Sequence, residues 1–278
     1  MTALLCFRSL AIAAALAVSL SAATASAQGL LVRLPAEDGV GVRYEGTYKQ
    51  LVKRPNAVQG DTTIEWRRQL KISSVGKEEA EFQGKTQPCR WIEFKVQTGH
   101  AKEGDIDAGP GSVRIYKVLV AESVIRDTVN EPIGEGREIY SSYIPIVKGF
   151  RKFGDETAQP IDPPVLSIYP AISQLQLYRN LMANGDAAEL QLPIPNITGT
   201  PFKGSLTTES PTRRTTNSAE IFRSESIPFG VAKWTAKTTT EEKPGTAARS
   251  EFTLTNEIVE EMSAFELLTG AESELITP

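Results

Sequence analysis

Apolar and polar residues alternate with a period of two through most of this chain, and this feature limits its fold more than any other. Side chains on a strand point to opposite faces in turn, so such a stretch buries one face and wets the other. Val40–Val52 reads as a first long strand, with Val42, Tyr44 and Tyr48 as its apolar positions. Ile64, Trp66, Leu70 and Ile72 mark a second strand, in which one at least of the adjacent Arg67 and Arg68 should face water. Cys89–Val96, Val113–Val120 and Glu138–Val147 follow. Later in the chain the pattern resumes over Ala188–Pro193, Phe202–Thr208, Ser218–Arg223, Ile227–Thr238 and Arg249–Thr255. The threonine-rich stretches 207–216 and 238–245 read as hairpin ends or loops. Most gaps are too short for parallel crossovers, so the pairing is expected to be antiparallel.

Two stretches change period. Ile168, Ile172, Leu175, Tyr178 and Met182 stand at steps of four, three, three and four, one stripe of an amphipathic helix. Pro170 fits its first turn and Asn184-Gly185 its end, which predicts a helix over 168–183. Ile258, Met262, Phe265 and Leu268 predict a short helix over 257–269, ended at Gly270. The expected fold is mainly β. It is a large curved antiparallel sheet, an open half-barrel, with the central helix on its concave face and a short C-terminal helix. Two packed sheets with the helix at an edge are the alternative.

The first 27 residues read as a secretory signal: Arg8, an apolar run from Leu10 to Leu20, and the small-x-small site Ala25-Ser26-Ala27. The run is too short and alanine-rich for an ordinary membrane span. Residues 28–278 are then expected to form a single β-rich domain in the periplasm or outside the cell, with no transmembrane segment after cleavage. Cleavage removes Arg8 alone among the charged residues, so the net charge moves from −4 to −5. That balance argues against nucleic acid, which needs a basic surface. Aromatics are only 7% of the chain, and charges interrupt both faces of several strands, which disfavours a membrane barrel.

Cleavage also leaves Cys89 as the one cysteine beside the one histidine, His100. No intramolecular disulfide can form, and a zinc site of the usual nitrogen and sulfur ligands is excluded by count. Cys89 reads better as a small buried hydrophobe than as a reactive thiol. His100 reads as a loop residue, and no Gly-x-Ser-x-Gly elbow accompanies it. Glu103, Asp105 and Asp107 have the spacing of the first calcium-loop ligands, but Ala108 and Arg114 stand where glycine and a bidentate glutamate are needed. Asn196-Ile-Thr198 matches a glycosylation sequon that carries little weight behind a bacterial-looking signal. No metal or cofactor site follows from these residues. Glu45, Glu65, Glu81 and Glu93 lie on expected strands, where two acids facing one cleft could hydrolyse glycosides.

The signal, the curved sheet and the helix inserted between two strand groups resemble the periplasmic lipoprotein-localisation-like half-barrel families. The resemblance is architectural, covers most of the mature chain loosely and carries no diagnostic motif. It implies a hydrophobic cavity, between sheet and helical lid, for an acyl chain or a partner segment. On this reading the chain is an exported, non-catalytic binding protein for a hydrophobic ligand or an envelope partner. Ile168, Ile172, Leu175, Tyr178 and Met182 would line the cavity, together with Trp66, Trp91 and Trp234. A carboxylate-dependent envelope hydrolase and a structural or surface-assembly protein are the competing functions.

Overall fold

Most of the alternating stretches become strands, several of them longer than the pattern delimits, but Ala188–Pro193 is strand only at its first two residues, and Pro228–Gly230 and Arg249–Glu251 form single 3-10 turns ahead of the strands that follow them. A computed structural model describes residues 29–276 apart from 55–57, 59, 104, 110–112, 126–142, 162–164, 169 and 179. The first half of the chain contributes β1 (Gly41–Val52), β2 (Thr62–Phe82), β3 (Lys85–Lys102), β4 (Asp105–Asp107), β5 (Arg114–Ala121), β6 (Tyr143–Pro145), β7 (Lys148–Phe153) and β8 (Gln159–Pro160). The second contributes β9 (Val165–Ser167), β10 (Met182–Ala183), β11 (Ala188–Glu189), β12 (Thr198–Glu209), β13 (Arg213–Arg223), β14 (Val231–Glu242) and β15 (Thr253–Leu268). The expected fifth strand is seen from Tyr143 onward; its earlier part, 138–142, lies outside the described residues, as does the signal segment.

Among the described residues, thirteen strands join one antiparallel sheet in the order β10-β12-β13-β14-β15-β1-β2-β3-β5-β7-β8, with β11 on β12 and β4 on β3. The two ends of this order do not meet, so the sheet is open rather than a closed barrel. Register shifts at Arg43/Tyr44, Ser74/Lys77, Phe222/Arg223 and Thr240/Glu241 add local twist. The sheet curls enough for the Tyr44 hydroxyl on β1 to donate to the Val231 carbonyl on β14 at 2.7 Å. Tyr44 crosses β15 over the small side chain of Ala264, with which it pairs, and meets Trp234 edge-on at 5.0 Å. One face of the sheet is thus the core.

The two helices are absent. No residue among those described is in an α-helix. The described residues of 168–181 form one turn, in which Ile172 and Ser173 amides donate to the Ile168 carbonyl at 2.8 and 2.9 Å, and then run irregularly across the concave face. We call it the strap. Ile168, Ile172, Leu175 and Tyr178 are buried as a helix stripe would be, but Ser173, Gln174 and Gln176 between them are buried too, while Met182 is 70% exposed and paired with β12. A one-sided helix would leave the intervening polar residues in water. Here the sheet supplies their partners. Arg68 Nη2 donates to the Ile172 carbonyl at 2.8 Å, Asn217 Nδ2 donates to the Gln174 carbonyl at 2.9 Å, and Glu260 Oε1 accepts from the Gln174 amide at 3.0 Å. A helix satisfies its own backbone and would leave these buried side chains orphaned. Gly204 on β12 makes room: a Cβ there would stand 2.7 Å from the Tyr178 Cβ.

The second expected helix is the last strand. Ile258, Glu260, Met262 and Ala264 of β15 all face the core. A glutamate in that row hides the period of two and leaves Ile258, Met262 and Phe265 at helical spacing by coincidence. Phe265 points to the convex face, beneath the Arg43 guanidinium at 4.4 Å.

Candidate ligand groove beside the strap

Where the strap meets β2 and β3, the concave face keeps an opening. It is a groove of about 200 Å³ between Tyr48, Trp66, Val96, Thr98 and Arg114 on the sheet and Pro170 and Ala171 on the strap, with Arg68 among its walls. Strand parity places these groups. Trp66 and Arg68 stand two apart on β2, and Tyr48 is the cross-strand partner of Trp66. The Tyr48 and Trp66 rings stack at 5.8 Å, and the Arg68 guanidinium lies 5.4 Å from the Tyr48 ring. Arg67 points the other way and is exposed, as alternation requires.

Arg68 is 4% exposed. Its Nη1 lies 3.0 Å from Glu260 Oε2, and its Nε has no hydrogen-bond partner among the described residues. Glu260, fully buried, accepts on Oε1 from Ser173 Oγ at 2.8 Å, from Trp234 Nε1 at 2.8 Å and from the Gln174 amide. This carboxylate therefore fixes the strap as well as the arginine.

Further along the same face, Arg114 and Arg151 flank one ring. Their guanidinium carbons lie 5.9 and 5.6 Å from the Phe153 centroid. Arg114 pairs with Phe153 and Tyr116 with Arg151 across β5 and β7. Burial pushes the Tyr116 hydroxyl above its ordinary pKa of 10.0, and the charges of Arg114, Arg151 and Arg68 hold that rise back. Neither Arg114 nor Arg151 forms an ion pair with a carboxylate among the described residues.

The other residues singled out from the sequence lie apart. Trp234 is fully buried in the core. Trp91 is on the convex face, stacked on Phe150 at 6.4 Å, with its indole donating to Glu78 at 2.8 Å. Of the eight expected lining residues, only Trp66 borders the groove, and Ile168, Ile172, Leu175 and Tyr178 are packed into the core. Arg68 and Arg114 escape a sequence reading because nothing marks which of two neighbouring arginines turns inward until strand register is known.

The carboxylates are also dispersed. Glu93 is buried beneath the segment 270–276 on the convex face, where it accepts from Ser273 Oγ at 2.7 Å and from the Glu274 and Leu275 amides at 3.0 and 3.2 Å. Glu45 is hydrogen-bonded by Arg43 and by Gln69, and Arg43 also binds Glu266 at 2.9 Å. Arg43, Glu45 and Gln69 line a larger convex groove of about 480 Å³, where Glu45 is already engaged by its neighbours. Glu65 and Glu81 are exposed, and no described carboxylate lines the groove by the strap.

Cys89 and His100 lie eleven residues apart on the single strand β3, which puts them about 35 Å from each other and rules out a dyad. The Cys89 thiol is buried against Leu119 and Ala121, and burial pushes its pKa up. Asp105 and Asp107 belong to β4, and no group of three or more His, Cys, Asp or Glu side chains converges as a metal site among the described residues. No described helix is long and apolar enough to cross a membrane. No protein-family model matches the chain, and no curated protein matches it in sequence.

Proposed function

We propose that the protein is an exported binding protein that holds one end of an amphipathic ligand, of the lipid or acyl class, in the groove between Trp66 and the strap. The observation that carries this reading is the stacked Tyr48–Trp66 pair beside a buried arginine at an opening of the concave face. The concavity itself is filled by the strap. Exposing Ile168, Ile172, Leu175 and Tyr178 would cost up to about 6–12 kcal/mol, as much as the whole stability of an ordinary domain. A ligand therefore adds to the strap rather than replacing it. A groove of about 200 Å³ is smaller than the pockets that enclose drug-sized molecules, so it takes a ligand's end and leaves the remainder outside.

Native mass spectrometry of the exported protein, followed by solvent extraction, tests this. The expected result is an added mass released by solvent and lost in Thr98→Trp, which fills the groove. An unliganded mass in both proteins would overturn the reading.

One observation favours a second reading, strand addition in a surface assembly. The Asn180 side chain accepts from the Ser205 amide at 2.9 Å, so alternate amides of β12 point away from β13. Beyond Ser205 that outer edge has no strand partner among the described residues. Proline at Thr207 would remove an outward amide and spare the pairing with β13. Loss of self-association in Thr207→Pro, measured by sedimentation, would support the assembly reading; a wild-type protein monomeric at all concentrations would remove it.

A further inference from the structure

We infer that the end of the ligand held in this groove is an oxyanion, a carboxylate or phosphate on an apolar stem, bound by Arg114 and Arg68 with Arg151 behind them. The inference rests on the groove being the binding site and adds the charge of what it binds. Three guanidinium groups stand on one stretch of the concave face, around Tyr116 and Phe153. Glu260 neutralises one of them, Arg68. Arg114 and Arg151 are left without a described carboxylate, so the described residues of this stretch carry an excess of two positive charges. Like charges on adjacent strands repel, and the shared Phe153 ring offsets that only in part.

The buried member points the same way. Arg68 is almost wholly removed from water, yet its Nε has no described partner, although buried donors are nearly always satisfied. A planar guanidinium is suited to oxyanions, and a low local dielectric strengthens the contact. Tyr48, Trp66 and Pro170 offer the apolar surface along which the stem of such a ligand leaves the groove. In the neighbouring convex groove, by contrast, Arg43 is already engaged by Glu45 and Glu266.

Isothermal titration with octanoate, octyl phosphate and 1-octanol, three probes with one stem and different ends, separates the claims. One of the two anions at least should bind on the order of tenfold more tightly than octanol. The preference between octanoate and octyl phosphate distinguishes a fatty-acid end from a phospholipid end. The preference for the anion over octanol should shrink in Arg114→Gln, shrink further in Arg114→Gln/Arg151→Gln, and weaken as salt rises. Both arginines are exposed, so these variants should keep the wild-type thermal midpoint within a few degrees. Octanol binding as tightly as both anions, with all three lost in Thr98→Trp, would overturn the oxyanion and leave the groove standing. Anion binding unchanged in Thr98→Trp, or no binding to the wild type, would overturn both.

Discussion

Two irregular segments are held to opposite faces of this sheet by the same device, and they differ in what stands behind it. On the concave face Glu260 accepts from Ser173 Oγ and the Gln174 amide; on the convex face Glu93 accepts from Ser273 Oγ and the Glu274 amide. The clasped sequences are Ser173-Gln174-Leu175 and Ser273-Glu274-Leu275, and in both the leucine is buried to 1% or less. A strand carboxylate turned to the sheet surface thus reads a serine hydroxyl and the next amide, and so docks a segment with no regular structure. Glu260 is also paired with a buried arginine and a buried indole. Glu93 is covered by its own clasped segment, whose Glu274 meets Lys71 at 2.9 Å and Lys95 at 2.6 Å near the surface. The first clasp is part of the core, and the second is a latch laid over a finished sheet.

The largest predicted effect sharpens this contrast. Glu260→Ala leaves Arg68 buried without its carboxylate and the strap without its acceptor, and should cost at least about 3–5 kcal/mol in chemical denaturation. Arg68→Leu/Glu260→Leu should recover part of that loss, because the unpaired charge is gone while Ser173 and Gln174 still lack an acceptor. A double variant no more stable than Glu260→Ala would show that the clasp, and not the ion pair, dominates on the concave face.

Glu93→Ala should cost less, about 1–3 kcal/mol, since it orphans donors that can turn to water. The loss should be local. Limited proteolysis is expected to cut within residues 270–276 while the sheet stays intact; global unfolding at the same rate as cutting would make the two clasps equivalent.

The smallest effect is at the surface. Glu274 is partly buried, which by itself raises its pKa, but hydrogen bonds from Lys95 and Lys71 outweigh this and hold it below the ordinary 4.5. A depressed carboxylate contributes its stability in full above that value and loses it as pH falls through the lowered one. Glu274→Ala should therefore lower stability by no more than about 0.5 kcal/mol near neutral pH, since the ion pairs are solvent-screened. The difference in thermal midpoint from wild type should narrow as pH falls below 4.5 and close once the lowered value has been passed. A difference that persists at lower pH would assign it to packing.

Glu260 also explains which parts of the fold were legible in the sequence. The strands with apolar inward rows, such as Val42–Tyr44 or Leu70–Ile72, could be read directly because burial and hydrophobicity coincide there. β15 could not, because a charged residue occupies an inward position. The strap defeats a sequence reading for the complementary reason: its apolar spacing is real and its burial follows, but the sheet's own polar side chains claim the backbone that a helix would have satisfied. The groove shares this cause. Trp66 is marked in the sequence as an aromatic, whereas Arg68 and Arg114 become a pair only once β2, β3 and β5 stand side by side.

The strap is a fixed part of the concave face rather than a lid over an acyl cavity. Hydrogen exchange at the Gln174 amide, which donates to Glu260, tests this most directly. It should exchange as slowly as the amides of β14, and octanoate should leave it unchanged. Exchange much faster than in β14, or deprotection on adding octanoate, would mean that the strap opens and that the ligand enters beneath it, contrary to the site assigned at the groove.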